Sequence, residues 1–179
     1  MNNNLELRMY GLVNYQLTGI QQGIQFGHAV VEYGLKYFNT DLYKDWASNH
    51  KTFIVLNGGT TNTKLSISDG LPFGTMNKHL LTLDQNNIEL APFYEPDLGD
   101  QLTAIVFIVD ERVFNKKLYP DFNQFVKLNY DFDDKYINYN DWINSDLEDK
   151  VKIANEWKTS IGGDNNIFLR DFLLNFRLA

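Results

Sequence analysis

A chain of 179 residues, 44% hydrophobic and 15% aromatic, has material for one domain with a sizeable core and room for an appendage. Its net charge of −7, with Lys and Arg scattered, argues against extended contact with a phosphate backbone. With no cysteine, no apolar run of membrane-spanning length and a polar start, MNNNLELRMYG, that does not read as a signal peptide, the expectation is a cytoplasmic protein without disulfides, thiolate–metal sites or a membrane partner.

Leu5–Tyr15 mixes alternation with a β-rich apolar run and reads as the first strand. Thr18 follows as an N-cap for a helix reaching about Phe38. In that helix Gly19, Gly23 and Gly27 recur every four residues and form a smooth ridge. Each helical glycine costs about 1 kcal/mol relative to alanine, so the ridge is read as the surface that packs on the sheet. Ile20, Ile24, Val31 and Leu35 keep the helical period and are expected to face the sheet as well. Gln21, Gln25, His28 and Glu32 form a polar row on a neighbouring face. Because this helix directly follows a strand, Gln21 and Gln25 are placed near a cleft at the strand's carboxyl end.

A short helix is expected around Leu42–Ala47, with Trp46 as its anchor. Thr52–Leu56 is a continuous apolar run that suits a buried central strand. It breaks into Asn57-Gly58-Gly59-Thr60-Thr61-Asn62, read first as a loop or hairpin and second as a backbone cradle for an anion, with Asn57 and Gly58 as ligand contacts. Pro72–Thr75 leads into a helix of about Met76–Asn86, followed by a strand at Ile88–Tyr94. The acidic loop Glu95–Asp100, in which Asp97 is a candidate ligand contact, precedes Leu102–Asp110, the most β-branched segment and therefore a central strand. This order gives an α/β sandwich with a mixed sheet whose last two strands are antiparallel.

The remaining third reads as helical: Glu111–Lys117, Phe122–Asn129, Asp141–Lys158 and, after Ile161-Gly162-Gly163 and a capping Asp164, Asn166–Leu178. It is expected as an extension over residues 113–179 packed on the core of an α/β domain formed by residues 1–112. The aromatic stripe Phe168–Phe176 is read as core or as a homo-oligomer contact through the C-terminal helices. His50 and His79 lack acidic partners at ligand spacing, and Asp131-Phe132-Asp133-Asp134 lacks the glycine and glutamate of a calcium loop. Neither a metal nor a cofactor is expected.

Two stretches carry a resemblance. Gln25-Phe26-Gly27-His28-Ala29 resembles the Q-x-x-H-A motif on the first helix of type-2 peptidyl-tRNA hydrolases, and Glu95–Ile105, EPDLGDQLTAI, resembles that family's acidic-loop-to-strand motif. The likeness runs from Leu5 to about Arg112. It implies a four-stranded mixed sheet flanked by helices, with a site where the first helix meets the acidic loop. By the same resemblance Gln25 and His28 match the motif glutamine and histidine, Thr103 matches the threonine opening the last strand, and Glu95 stands where the family has an aspartate. The family's lysine, seven positions before the histidine, is here Gln21. An amide supplies a weaker dipole where a lysine would supply a permanent charge, so the chain resembles divergent relatives that carry the domain without that residue.

Two functions follow as expectations. The first is hydrolysis of the ester bond in peptidyl-tRNA, with His28, Glu95 and Thr103 as catalytic residues and Gln21 and Gln25 holding developing charge. The second is a catalytically inactive protein that uses the same cleft to hold or sequester a small nucleotide-like ligand, by analogy with small phage proteins.

Overall fold

The computed structural model describes residues 5–61, 74–132 and 137–179, which divide into two compact units, one of residues up to 110 together with 174–179 and one of residues 111–173. The first unit is built on a four-stranded mixed sheet. Its strands are β1 (Leu7–Asn14), β2 (Thr52–Gly59), β3 (Leu90–Glu95) and β4 (Gln101–Asp110), in the spatial order β2-β1-β4-β3. β1 runs parallel to β2 and antiparallel to β4, and β3 and β4 form the expected antiparallel pair. β4 is central, and Leu102 to Val109 are all buried.

β2 lies at the sheet edge, not at its centre as the apolar run TFIVL suggested. Nor is the run buried as expected: of Thr52–Leu56 only Leu56 is buried, and Phe53 is 48% exposed. Here the chain's own terminus meets the edge: Asn57 N–H donates to the Arg177 carbonyl at 2.9 Å and Ala179 N–H to the Val55 carbonyl at 3.0 Å. β2 also continues through Asn57 and Gly58 to Gly59, where a loop was expected. Asn62, Pro72 and Phe73 lie outside the described residues.

Helix α1 (Gly19–Tyr37) covers one face of the sheet. Its start is set by a capping box: the Thr18 hydroxyl accepts from Gln21 N–H, and the Gln21 carbonyl oxygen accepts from Thr18 N–H at 3.0 Å. The face turned inward carries Gln25, Phe26, Ala29 and Tyr33, of which the last three join Met9, Val13, Trp46, Ala104 and Val106 in one core. The expected inner face is therefore the outer one: Ile20, Ile24, Val31 and Leu35 are exposed, and a Cβ added at Gly19, Gly23 or Gly27 would meet nothing within 4 Å. The close approach that requires glycine is on the strand instead. The Phe26 ring lies where a Gly11 side chain would be.

Trp46 anchors this core as expected, between α2 (Asp41–Asp45) and β2, on a single π-helical turn, Trp46–His50. Helix α3 (Thr75–Gln85) packs on the sheet's other face, where Met76 lies against Leu12 and Gly58.

The second unit has its own aromatic core of Phe122, Trp142, Ile153, Trp157 and Ile161. Its helices are α4 (Glu111–Phe114), α5 (Phe122–Asn129), α6 (Tyr139–Ile143), α7 (Glu148–Ser160) and α8 (Asp164–Leu173). The single helix expected over Asp141–Lys158 is thus two, broken where Asn144 takes a non-helical conformation at the end of α6. The last helix ends at Leu173, so Phe168 and Phe172 stack on each other in this unit while Phe176 packs on His79 in the first. The expected continuous stripe is thus divided. Asp133 and Asp134 fall outside the described residues.

Candidate functional site

Gln25, Glu95 and Thr103, far apart in sequence, are brought together by α1, β3 and β4. The Gln25 amide nitrogen donates to a Glu95 carboxylate oxygen at 2.5 Å, and the Thr103 hydroxyl donates to the Gln25 carbonyl oxygen at 2.8 Å. Because a carboxylate only accepts, this arrangement fixes which way the amide points. Gln25 and Thr103 are buried, with relative exposures of 8% and 0%.

A β-bulge places Thr103. Phe93 pairs with Ala104 and Tyr94 with Leu102, which leaves Thr103 as the extra residue on β4. A bulge of this kind re-aims a side chain, and here the hydroxyl reaches Gln25 on the α1 side of the sheet. Its single proton goes to Gln25, with the Phe93 carbonyl a longer 3.4 Å away. The Thr103 donor is thus committed to holding Gln25.

His28 lies one turn along α1 from Gln25, and its exposed ring stacks on Phe93 with centroids 4.6 Å apart. Neither ring nitrogen has a hydrogen-bond partner among the described residues. The second N–H of Gln25 and the second oxygen of Glu95 are also without protein partners there. The cluster thus offers one fixed donor, one carboxylate acceptor and one imidazole held by an aromatic face. That set can orient a water and a polarised carbonyl, or bind a polar ligand.

The other expected contacts lie elsewhere. Gln21 is spent on the capping box, on the exposed side of the helix start. The Asn57 side chain accepts from Gly59 N–H at 2.9 Å, and Gly58 is a buried bulge residue between Leu12 and Met76. Asp97 is exposed on a 3₁₀ turn, Pro96–Leu98, and bonds none of the cluster residues. None of the hydrogen bonds or ion pairs of Gln25, Glu95 and Thr103 involves Lys or Arg among the described residues.

Asn57 and Gly58 instead line a depression of about 320 Å³, together with Gly59, Thr75, His79, Asn175, Phe176 and Arg177. Burial lowers the His79 pKa below its usual value, so the imidazole is neutral at pH 7. Sequence reasoning missed Phe93 and the returning tail residues. For Phe93 the signal available was its place in the strand leading into Glu95; nothing marked the tail. Among the described residues no group of three or more His, Asp or Glu is placed to hold a metal ion, and no helix is long and apolar enough to cross a membrane. The sequence matches no protein-family model and no curated protein.

Proposed function

We propose that the Gln25–Glu95–Thr103 cluster with His28 is the centre of a peptidyl-tRNA hydrolase-like protein that cleaves the ester between a peptide and the ribose of tRNA. One observation carries this reading: residues singled out from two separate motifs by the family resemblance meet through the hydrogen bonds of a single buried amide, that of Gln25. In the proposed reaction the His28 imidazole takes a proton from water as the oxygen attacks the ester carbonyl carbon. The remaining Gln25 N–H donates to the oxyanion. The oxyanion then collapses to a carboxyl, the carbon–oxygen bond to the ribose breaks, and the proton held by His28 passes to the departing ribose oxygen, which leaves as a hydroxyl. Glu95 holds the amide in line, and Thr103 holds its other end.

A second reading has its own support. The position where the family carries lysine is occupied here by Gln21, whose side chain is committed to the helix cap, so that position supplies no positive charge. On this reading the cluster binds a small nucleotide-like ligand without turning it over.

Release of tRNA from labelled peptidyl-tRNA separates the two. The hydrolytic reading expects turnover by the wild type, a loss of about 10²-fold or more in His28→Ala, and smaller losses in Gln25→Ala and Thr103→Val. An inert wild type that gains activity on Gln21→Lys rejects it. The binding reading then expects a nucleotide at about a hundred times its dissociation constant to stabilise the fold by about 2.7 kcal/mol, and a flat thermal-shift panel rejects that in turn.

A further inference from the structure

Helix α1 has a second apolar face that stays exposed among the described residues. On a period of 3.6 residues, Ile20, Ile24, Val31, Leu35 and the C-cap residue Phe38 fall within about 60° of one another. Their relative exposures are 80%, 51%, 60%, 69% and 59%. Five large apolar side chains along one face, interrupted only at Gly27 and His28, exceed the scattered exposure ordinary for a soluble surface. No charged residue lies within the row, and Gly23 and Gly27, with open space at their Cβ positions, flank it on one side.

We infer that this face pairs two copies of the chain, with the two α1 helices packed antiparallel about a two-fold axis near Gly27 and His28. The order of the row supports a second copy over a different partner. Read outward from Gly27 and His28, it runs Ile24 and Val31, then Ile20 and Leu35. An antiparallel copy therefore sets Ile24 against the partner copy's valine and Ile20 against its leucine, as the self-complementarity of a two-fold interface requires. The glycines let the helix axes approach closely, so the branched side chains of one copy lie in the groove of the other. With roughly 100 Å² left on each of five apolar side chains, the pair removes on the order of 1,000 Å² from water, the least that a specific interface needs. The dimer is accordingly weak and concentration-dependent. A membrane surface fits the helix less well, since its only cation is Lys36, and that amine is bonded to the Leu90 carbonyl.

Sedimentation equilibrium of the full chain across the micromolar range tests the pairing. The expected result is reversible association from 20.8 kDa to twice that mass. Ile24→Asp should weaken it by at least about thirtyfold, the loss typical of a central interface residue. Both Ile24 and the more peripheral Leu35 are exposed, so Leu35→Lys serves as a second variant should Ile24→Asp alter folding by circular dichroism. Because the chain has no cysteine, register is read directly: a mixture of Ile24→Cys and Val31→Cys chains should form the mixed disulfide faster than either forms its own. Monomers throughout the range, dimers indifferent to both charged variants, preferential self-linking of Ile24→Cys, or binding of monomers to anionic vesicles would each overturn the inference. Ile24 and Val31 take no part in the Gln25 hydrogen bonds, so the outcome is independent of the hydrolytic reading.

Discussion

Gln25 and Tyr33 lie on the same inner face of α1, yet their polar atoms meet opposite fates. The Gln25 amide is bonded at both ends, by Thr103 and Glu95. The Tyr33 hydroxyl is buried with no hydrogen-bond partner among the described residues, beside Tyr37 and Tyr43, and burial pushes its pKa well above the ordinary tyrosine value, with the nearby Glu89 charge adding to the effect. A buried donor without an acceptor costs about 1–3 kcal/mol of lost solvation, and the ring alone supplies the packing. Tyr33→Phe should therefore leave the chain as stable as the wild type or more so, by up to about 1 kcal/mol. Urea denaturation followed by circular dichroism measures this, and a loss above 1 kcal/mol would mean that the hydroxyl has a partner after all. At this scale the resemblance of two motifs named Gln25, Glu95 and Thr103 as residues to meet, and the hydrogen bonds of the Gln25 amide join the three. The sequence was silent on Phe93, because an aromatic in a strand signals β-propensity whether or not a histidine stacks on it.

Elements were legible in type and order more than in orientation. The periodicity identified α1, and the Thr18 cap located its start, because both are local effects of backbone geometry. Periodicity alone does not single out its inner face, because α1 carries two apolar faces. The more aliphatic row, Ile20 to Leu35, outscores Gln25, Phe26, Ala29 and Tyr33 on any count of hydrophobicity, but the latter are chosen by the fit of Phe26 over Gly11 and of Gln25 against Thr103. Those contacts join residues distant in sequence, and periodicity carries no record of them. The glycines were misread for the same reason, and the correction has a measurable sign. A ridge packed on the sheet would make Gly23→Ala destabilising through overpacking. With nothing within 4 Å of the added methyl and a helical backbone, Gly23→Ala should instead stabilise the chain by about 0.5–1 kcal/mol, seen as a raised melting temperature in dilute solution.

At the scale of the whole molecule, composition anticipated an α/β core and a helical remainder, but not that the last residues, 174–179, belong to the first unit while residues 111–173 form the second. The tail meets β2 through backbone hydrogen bonds, which any sequence can make, so no side-chain pattern announces it. The second unit is held by an interaction with more specific chemistry. Arg170, buried in α8, donates to the carbonyls of Arg112 and Tyr119 and to the Asp121 carboxylate, at 2.6, 2.9 and 2.6 Å. Burial works to raise the Asp121 pKa, but hydrogen bonds from Arg170 and Lys116 prevail and hold it below 3.8. A carboxyl whose folded pKa is depressed adds stability that is fully present above its unfolded value and is lost as pH falls through the folded one. The Asp121 side chain is 54% exposed, so solvent screening limits its contribution to about 1 kcal/mol or less. The stability gap between wild type and Asp121→Asn should be constant above about pH 5 and should close as pH falls below 3.8. Trp142 and Trp157 lie in the second unit's core, so their fluorescence in a Trp46→Phe background reports this unit alone. A gap that stays constant down to pH 2.5 would show that the Asp121 charge is not what Arg170 holds, and would leave the two carbonyls as the anchor of this unit.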